Sequence, residues 1–367
     1  MILAHKIKLE PNNKQTTYFK KASGVARFAY NWGLAYYQQK RKEDSNYKFN
    51  EMELRKALNS IKHETFPWMD EVSKCAPQLA IKVNLNNAFR NFFKKNGKYP
   101  KFHKKGIHDS FALSNDQFVI VSNKIRIPKL GWVKMAESLR FDGKIVGANI
   151  SGRAGYWFVA IQVEMAEQEI VRNDNDVIGV DLGVETLVTL SNSEKYQGAK
   201  ATSKYERKLR RYNQRLAKCK GSKKDEVKSN NYRKNQAKLN KIYYRAFNSR
   251  NDLNHQLTTM IVKTYKTIGI EDLKVVNMLS DNKFAKHIAD RSFYEFRRQL
   301  EYKAKRYGAT IIIADTYFAS SKICSSCGHK KETLPLNERT YVCSCGLELD
   351  RDINAAINLK KYALKRI

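Results

Sequence analysis

Three apolar runs in the C-terminal half constrain the fold of this chain more than any other feature. Val177-Ile178-Gly179-Val180 ends in Asp181, followed by Leu182-Gly183. Thr267-Ile268-Gly269-Ile270 ends in Glu271, and Ala309–Ala314 forms a third run. Apolar runs this short, bounded by turn residues, read as strands buried on both faces. Glu185–Leu190 reads as a strand returning after the glycine turn. Residues 200–266 read as long helices. Phe293, Phe296, Leu300, Ala304 and Tyr307 mark one face of another helix, closed by Gly308. Strands alternating with helices specify an α/β sheet.

Such a sheet can gather acids that lie far apart in sequence. Asp181 and Glu271 are 90 residues apart, and Asp352, 81 residues further on, opens the helical pattern Ile353-Asn354-Ala355-Ala356-Ile357-Asn358-Leu359. Three converging carboxylates repel one another and partly protonate unless cations join them. Hard oxygen donors suit Mg²⁺ or Mn²⁺. Two such ions, about 3.5–4 Å apart, activate water and stabilise the leaving oxygen of a phosphodiester. On this reading Asp181 bridges the ions, and Glu271 and Asp352 complete their shells. Each acid taken alone also fits a cap or a surface carboxylate. Asp350 competes with Asp352, or serves as the N-cap of the last helix.

Four of the six cysteines cluster near the C-terminus: Cys324-Ser325-Ser326-Cys327 and Cys343-Ser344-Cys345, 15 residues apart. In a reducing compartment this spacing points to metal ligands rather than disulfides. Four thiolates form a closed tetrahedral site for structural Zn²⁺. The second pair has one intervening residue instead of two, which tightens its turn. His329 is the alternative ligand. Lys322, Lys330, Lys331 and Arg339 flank the site, as suits a ribbon that touches nucleic acid. Cys75 and Cys219 lie far away and read as unpaired thiols.

The N-terminal half has a different texture. Residues 1–10 read as a strand and 14–95 as mainly helical. Gln78–Phe93 forms an amphipathic run after Pro77, with Leu79, Val83, Leu85, Ala88, Phe89, Phe92 and Phe93 as its apolar face. Asn96-Gly97 and Pro100 end it. Gln117–Val121, Lys124–Ile127, Trp132–Met135, Ile145–Ser151 and Tyr156–Glu164 read as short strands, expected to close into a small barrel with the first strand. The helical region is then an insertion in that barrel. Val171–Asp176 reads as a linker.

Charge points to the partner. Among 367 residues, 69 Lys+Arg face 36 Asp+Glu, a net charge of +33. A polyanion relieves that self-repulsion, and nucleic acid does so with release of counterions. Between Lys200 and Arg245, 17 basic residues face 3 acidic ones, with a helix break expected near Lys223-Lys224-Asp225. No apolar run approaches the roughly 20 residues that span a bilayer, and Met1–Lys6 shows no secretory pattern. The expectation is a prokaryotic cytosolic or nucleoid protein of two or three domains, with no membrane partner and no small-molecule substrate.

Together these motifs resemble the TnpB family of transposon-encoded proteins, relatives of type V CRISPR effectors. The resemblance rests on Ile178–Gly183, Ile270-Glu271-Asp272-Leu273, Ser320-Ser321-Lys322 before the first cysteine pair, and Asp350-Arg351-Asp352-Ile353-Asn354-Ala355-Ala356-Ile357-Asn358. Ala26–Trp32 and Tyr99-Pro100-Lys101-Phe102-His103-Lys104-Lys105 extend it to the N-terminal half. It implies a multidomain α/β protein: an RNase H-like (RuvC) nuclease domain over 171–320 and 347–367, with a zinc ribbon at 321–346. It also implies a wedge β-barrel from 1–10 and 96–170, with a helical recognition domain at 11–95. The family's catalytic acids fall on Asp181, Glu271 and Asp352. The implied partners are a guide RNA from the transposon end and target double-stranded DNA, cut beside a short motif. Arg207, Lys208, Arg210, Arg211 and Arg215 would track phosphates, and Gln78 and Lys82 would contribute to reading the motif. A guided repressor that binds without cutting is the alternative, but all three acids are present. A strand-transfer transposase lacks support, since no tyrosine-nucleophile motif with paired histidines is found.

Overall fold

The computed structural model describes residues 1–166, 175–219, 229–280, 285–335 and 337–367. The expected linker at Val171–Asp176 lies mostly outside them, as does the helix break near Lys223–Asp225. The chain divides into two compact units, Met1–Gln168 and Glu169–Ile367.

In the first unit, β1 (Ile2–Glu10) leads through an Asn12 cap into α1 (Asn13–Glu43). The Asn12 side chain accepts from the Gln15 N–H at 2.9 Å, and the Gln15 side chain accepts from the Asn12 N–H at 3.0 Å. This reciprocal capping satisfies two of the orphan amides at the helix start. α2 (Glu51–Thr65) follows, then a continuous helical run made of α3 (Cys75–Leu79), a π-helical segment (Ala80–Leu85) and α4 (Asn86–Phe93). The π turn corrects the amphipathic reading. The buried face carries Ile81, Leu85 and Phe89, while Val83, inside the π-helical segment, and Phe93, the last residue of α4, are exposed.

Six further strands complete an antiparallel sheet with β1: β2 (Ser110–Ser114), β3 (Val119–Val121), β4 (Lys124–Ile127), β5 (Gly131–Met135), β6 (Lys144–Arg153) and β7 (Tyr156–Glu164). Their order is β2-β6-β7-β1-β5-β4-β3. Among the described residues the sheet is open, with β2 and β3 at its edges, where a closed barrel was expected. The physical reason is that α1 shares the core of the sheet. Phe19 packs against Phe111 and Trp157 with ring centroids 6.0 and 5.1 Å away, and the Tyr18 hydroxyl donates to the Pro128 carbonyl. The apolar face is therefore covered by a helix rather than by strand closure.

The second unit is built on a five-stranded sheet of order β10-β9-β8-β11-β12, formed by β8 (Asn175–Asp181), β9 (Thr186–Leu190), β10 (Lys195–Gln197), β11 (Tyr265–Ile270) and β12 (Thr310–Ile313). β8, β11 and β12 are parallel, whereas β9 and β10 run antiparallel to their neighbours. Between β10 and β11 stand α5 (Ala201–Lys218) and α6 (Asn230–Thr264). These two helices share a small core of Leu209, Leu216, Leu239 and Ile242. α7 (Val275–Ser280), α8 (Ala285–Arg291) and α9 (Phe293–Tyr307) lead to β12, and α9 ends on Gly308 at φ 62°. The hairpin of β13 (Thr340–Val342) and β14 (Glu348–Asp350) runs into α10 (Arg351–Leu364). Among the described residues no helix is long and apolar enough to cross a membrane.

α10 lies directly on the sheet, and two strand glycines make that possible. A Cβ at Gly179 would stand 1.8 Å from the Ala356 carbonyl oxygen, and one at Gly269 would stand 2.4 Å from that of Leu359. The contact therefore admits no side chain at either glycine. Ala355, Ala356, Leu359 and Ala363 are all buried on the helix side.

Candidate catalytic and metal sites

The parallel register brings the first two acids together. Gly179 pairs with Gly269 and Val180 with Ile270, so Asp181 and Glu271 follow at equivalent positions on adjacent strands. Neighbouring strands lie about 4.8 Å apart, and the carboxyl ends of parallel strands are where α/β sheets bind ligands. Asp352 comes from the first turn of α10, one turn before the Ala356 contact with β8. All three side chains are half-buried.

Their electrostatics report mutual proximity. Burial, then the charges of Glu271 and Asp352, push the Asp181 carboxyl well above the ordinary range, against the pull of Arg351. Burial drives Glu271 up to about 7, opposed by a hydrogen bond from the Leu182 backbone and assisted by Asp352. Burial and Asp350 raise Asp352, while Lys195, Arg339 and Arg351 lower it. These shifts are those of acids gathered in a recess and only partly offset by Arg351, Lys195 and Arg339. Asp350 has a different role. Its carboxylate caps α10, accepting from the Asp352 and Ile353 amides at 3.0 and 3.1 Å, and pairs with Lys195 at 2.6 Å.

Beside Glu271 opens a cavity of about 440 Å³, lined in part by Leu182, Glu271, Asp272, Phe293 and Arg297. Asp272 accepts from Lys274, Arg297 and Thr316, which hold its carboxyl far below the ordinary range. The segment leaving Glu271 is thereby tied to α9 and to the loop after β12. This node was not singled out from sequence. The Glu-Asp pair at a strand end was its only trace.

The four clustered cysteines converge. The Sγ atoms of Cys324, Cys327, Cys343 and Cys345 all lie within 4.8 Å of one another, and among the described residues they alone form so tight a group of three or more ligands. Cys324 and Cys345 thiols are 3.7 Å apart, and those of Cys327 and Cys343 are 3.6 Å apart. Each pair is closed by a left-handed glycine, Gly328 at φ 79° and Gly346 at φ 88°. The Gly328 N–H donates to the Cys324 carbonyl and the Gly346 N–H to that of Cys343. The single-residue spacing of the second pair therefore still closes the quartet. A hydrogen bond from the Cys345 backbone pulls the Cys343 thiol down to about 6. His329 stands outside the quartet, where its carbonyl accepts from the Cys324 N–H. A thiolate quartet suits a structural metal ion. Cys75 and Cys219 are unpaired.

Two further residues were missed from sequence. Asn354 and Asn358 are buried on α10 and hydrogen-bond the backbone of Ser320–Ser325. Two amides spaced i, i+4 within an apolar helical face were the available signal.

The basic residues expected to meet nucleic acid are placed as follows. Arg207, Lys208, Arg210, Arg211 and Arg215 are all exposed on α5, while Leu209 and Leu216 face α6. The Arg211 and Arg215 guanidinium groups lie over Tyr212, at 5.2 and 5.7 Å from its ring centre. In the first unit Lys82 is exposed on the π-helical segment, and Gln78 is half-buried on α3.

Three family models match the chain: a helix-turn-helix domain over residues 1–46, the OrfB_IS605 family, described as a probable transposase, over 160–281, and a Cas12f1-like TNB domain over 293–359. In the structure residues 1–46 hold β1 and the single long helix α1. A Streptomyces pristinaespiralis protein named "Putative RNA-guided DNA endonuclease" is 32% identical, aligning 97% of this chain with 88% of its own length. InsQ of Escherichia coli K12, which bears the same description, is 30% identical over 97% of this chain and 91% of its own length. In fold the chain resembles Cas12f1 as solved in complex with single guide RNA and target DNA, with a TM-score of 0.60, 14% identity, and coverage of 94% of this chain and 83% of that one. With such identity sustained over nearly its whole length, the chain belongs to the TnpB family of RNA-guided DNA endonucleases encoded by insertion sequences.

Proposed function

We propose that this chain cleaves double-stranded DNA beside a short target-adjacent motif, at a site selected by a guide RNA from the end of its own transposon. The observation that carries the reading is the β8–β11 register, which sets Asp181 and Glu271 side by side at the sheet's carboxyl edge, within electrostatic reach of Asp352. An all-oxygen donor set of three acids fits Mg²⁺ or Mn²⁺. The thiol quartet fits Zn²⁺ in a purely structural role.

On this reading Asp181 would be the ligand shared by the divalent ions, and Glu271 and Asp352 would supply the other carboxylates. Two divalent ions, when bound, supply the Lewis acidity for attack of water on a phosphodiester and for departure of the leaving oxygen. The protein's own residues prepare the place. Asp350, tied to Lys195, fixes the first turn of α10 and with it Asp352. The Asp272 node fixes the segment that follows Glu271. Residues 171–320 and 347–367 act as a RuvC-like, RNase H-like nuclease domain, and 321–346 as a ribbon that meets the target. Residues 1–10 and 96–170 act as the wedge domain, built on the sheet of the first unit, and 11–95 as the recognition domain. Arg207, Lys208, Arg210, Arg211 and Arg215 contact phosphates, and Gln78 and Lys82 contribute to reading the motif. Guide–target pairing supplies most of the sequence specificity.

The test uses the protein purified with its co-transcribed RNA, that RNA being sequenced to its ends. With Mg²⁺ the complex linearises a plasmid carrying the matching target. Asp181→Ala abolishes linearisation and spares target binding in a gel-shift assay. Binding without cleavage by the wild type establishes a guided repressor instead, and cleavage that ignores the RNA sequence removes the guide from the mechanism.

A further inference from the structure

The thiol quartet and the acid site share one helix. α10 presents Asp352 in its first turn, with the buried amide of Asn354 two residues on and that of Asn358 one turn further, 0% and 4% exposed. Asn354 Oδ1 accepts from the Ser325 N–H at 2.9 Å, and its Nδ2 donates to the Ile323 carbonyl at 2.7 Å. Asn358 Nδ2 donates to the carbonyls of Ser320 and Ile323, at 2.9 and 2.6 Å. The Lys361 ammonium donates to the Ser325 carbonyl. Every one of these bonds ends on Ser320–Ser325, the stretch that enters the first cysteine pair. From the other side, β14 runs straight into the cap residue Asp350, which pairs with Thr340, and the Arg351 guanidinium donates to the Pro335 carbonyl at 2.9 Å. The start of α10 is thus held between the two halves of the ribbon.

Buried amides cost free energy when their partners are lost. The backbone path of Ser320–Ser325 runs through Cys324, so an ion joining the four sulfurs would fix it, whereas without one the thiols hold their protons and that tie is lost. We propose that Asn354, Asn358 and Lys361 are positioning residues that transmit the closed state of the quartet to Asp352, so that zinc occupancy tunes the affinity of the acid site for its ions. This rests on Asp352 belonging to the acid site. The coupling is reciprocal by linkage, so acid-site occupancy tightens zinc binding by the same factor.

The test uses the full chain and Mn²⁺ alone as probe, with free Mn²⁺ read by its electron paramagnetic resonance signal. Zinc is withheld through the Cys327→Ser/Cys345→Ser double variant, so no chelator competes for Mn²⁺. Loss of zinc is expected to weaken Mn²⁺ binding about tenfold and to speed hydrogen exchange of the Asp352–Ala356 amides. Asn354→Ala and Asn358→Leu, with zinc retained, weaken Mn²⁺ binding to a similar degree, and removing zinc from them adds little more. Lys361→Met lies on the exposed side of α10 and serves if the buried variants do not fold. It gives a smaller loss and a smaller response to zinc. Equal Mn²⁺ affinity and equal exchange with and without zinc overturn the proposal. A zinc effect undiminished in all three variants overturns the proposed route. Mn²⁺ binding that ignores Asp181→Asn sinks the acid-site reading instead, and the exchange measurement still decides the coupling.

Discussion

Asp181 and Glu271 are held in a protonation state that costs the folded protein free energy at neutral pH. Their carboxyls titrate above the ordinary range because they are buried together. The sign follows from linkage: a carboxyl raised on folding binds protons more readily in the native state. Its contribution to stability is full below the unfolded value and is lost as pH rises through the folded one. In ion-free protein at pH 8, Asp181→Asn is therefore expected to raise the unfolding temperature by several degrees. The gain should fade as pH falls toward about 4, the ordinary carboxyl value. Added Mg²⁺ should reverse the order, stabilising the wild type more than the variant. Thermal unfolding across pH, with and without Mg²⁺, measures both. Residue type alone made the two strand-end acids legible, because an apolar run that stops on Asp or Glu leaves that charge at a sheet edge. Asn354 and Asn358 were not legible in the same way, since a polar residue in a helix announces a partner only when its neighbour in space is known.

At the scale of elements, the sheet and α10 meet through backbone. Gly179 and Gly269 are strand residues whose missing side chains let the helix lie flat on β8 and β11. Gly179→Ala places a methyl against the Ala356 carbonyl and must lift α10. The expected cost is at least about 3 kcal/mol, with cleavage lost although all three acids remain. Denaturant unfolding and circular dichroism check the first part, and plasmid linearisation the second. Most elements were readable: Lys124–Ile127 and Tyr156–Glu164 fall on β4 and β7 to the residue. β2 escaped because Ser110-Phe111-Ala112-Leu113-Ser114 offers only two large apolar side chains, both inward. The π turn escaped because a 3.6-residue period cannot reveal a local widening. Short strands do not say whether another strand or a helix covers their apolar face, so the sequence does not separate a closed barrel from the open sheet observed.

The whole molecule carries +33 charges, and α5 concentrates some of them on one exposed surface. Affinity for guide RNA and target is expected to fall steeply with salt. Alanine at Arg207, Lys208 or Arg210 should weaken binding to all sequences alike and reduce the log–log salt slope by about 1 each. Filter binding between low and physiological salt measures this. On the proposed function these side chains carry part of the affinity that composition announces, while guide–target pairing, together with the short motif read by the protein, carries the choice of target. The paired register of β8 and β11 has one more implication. It sets the spacing between Asp181 and Glu271 locally, whatever the length of chain that connects them. Lengthening, trimming or exchanging the tips of α5 and α6 should leave the chemistry untouched, while one residue inserted into either strand would turn an acid to the opposite side and silence the enzyme at a stroke. The excursion is open to remodelling, and the two strands are not.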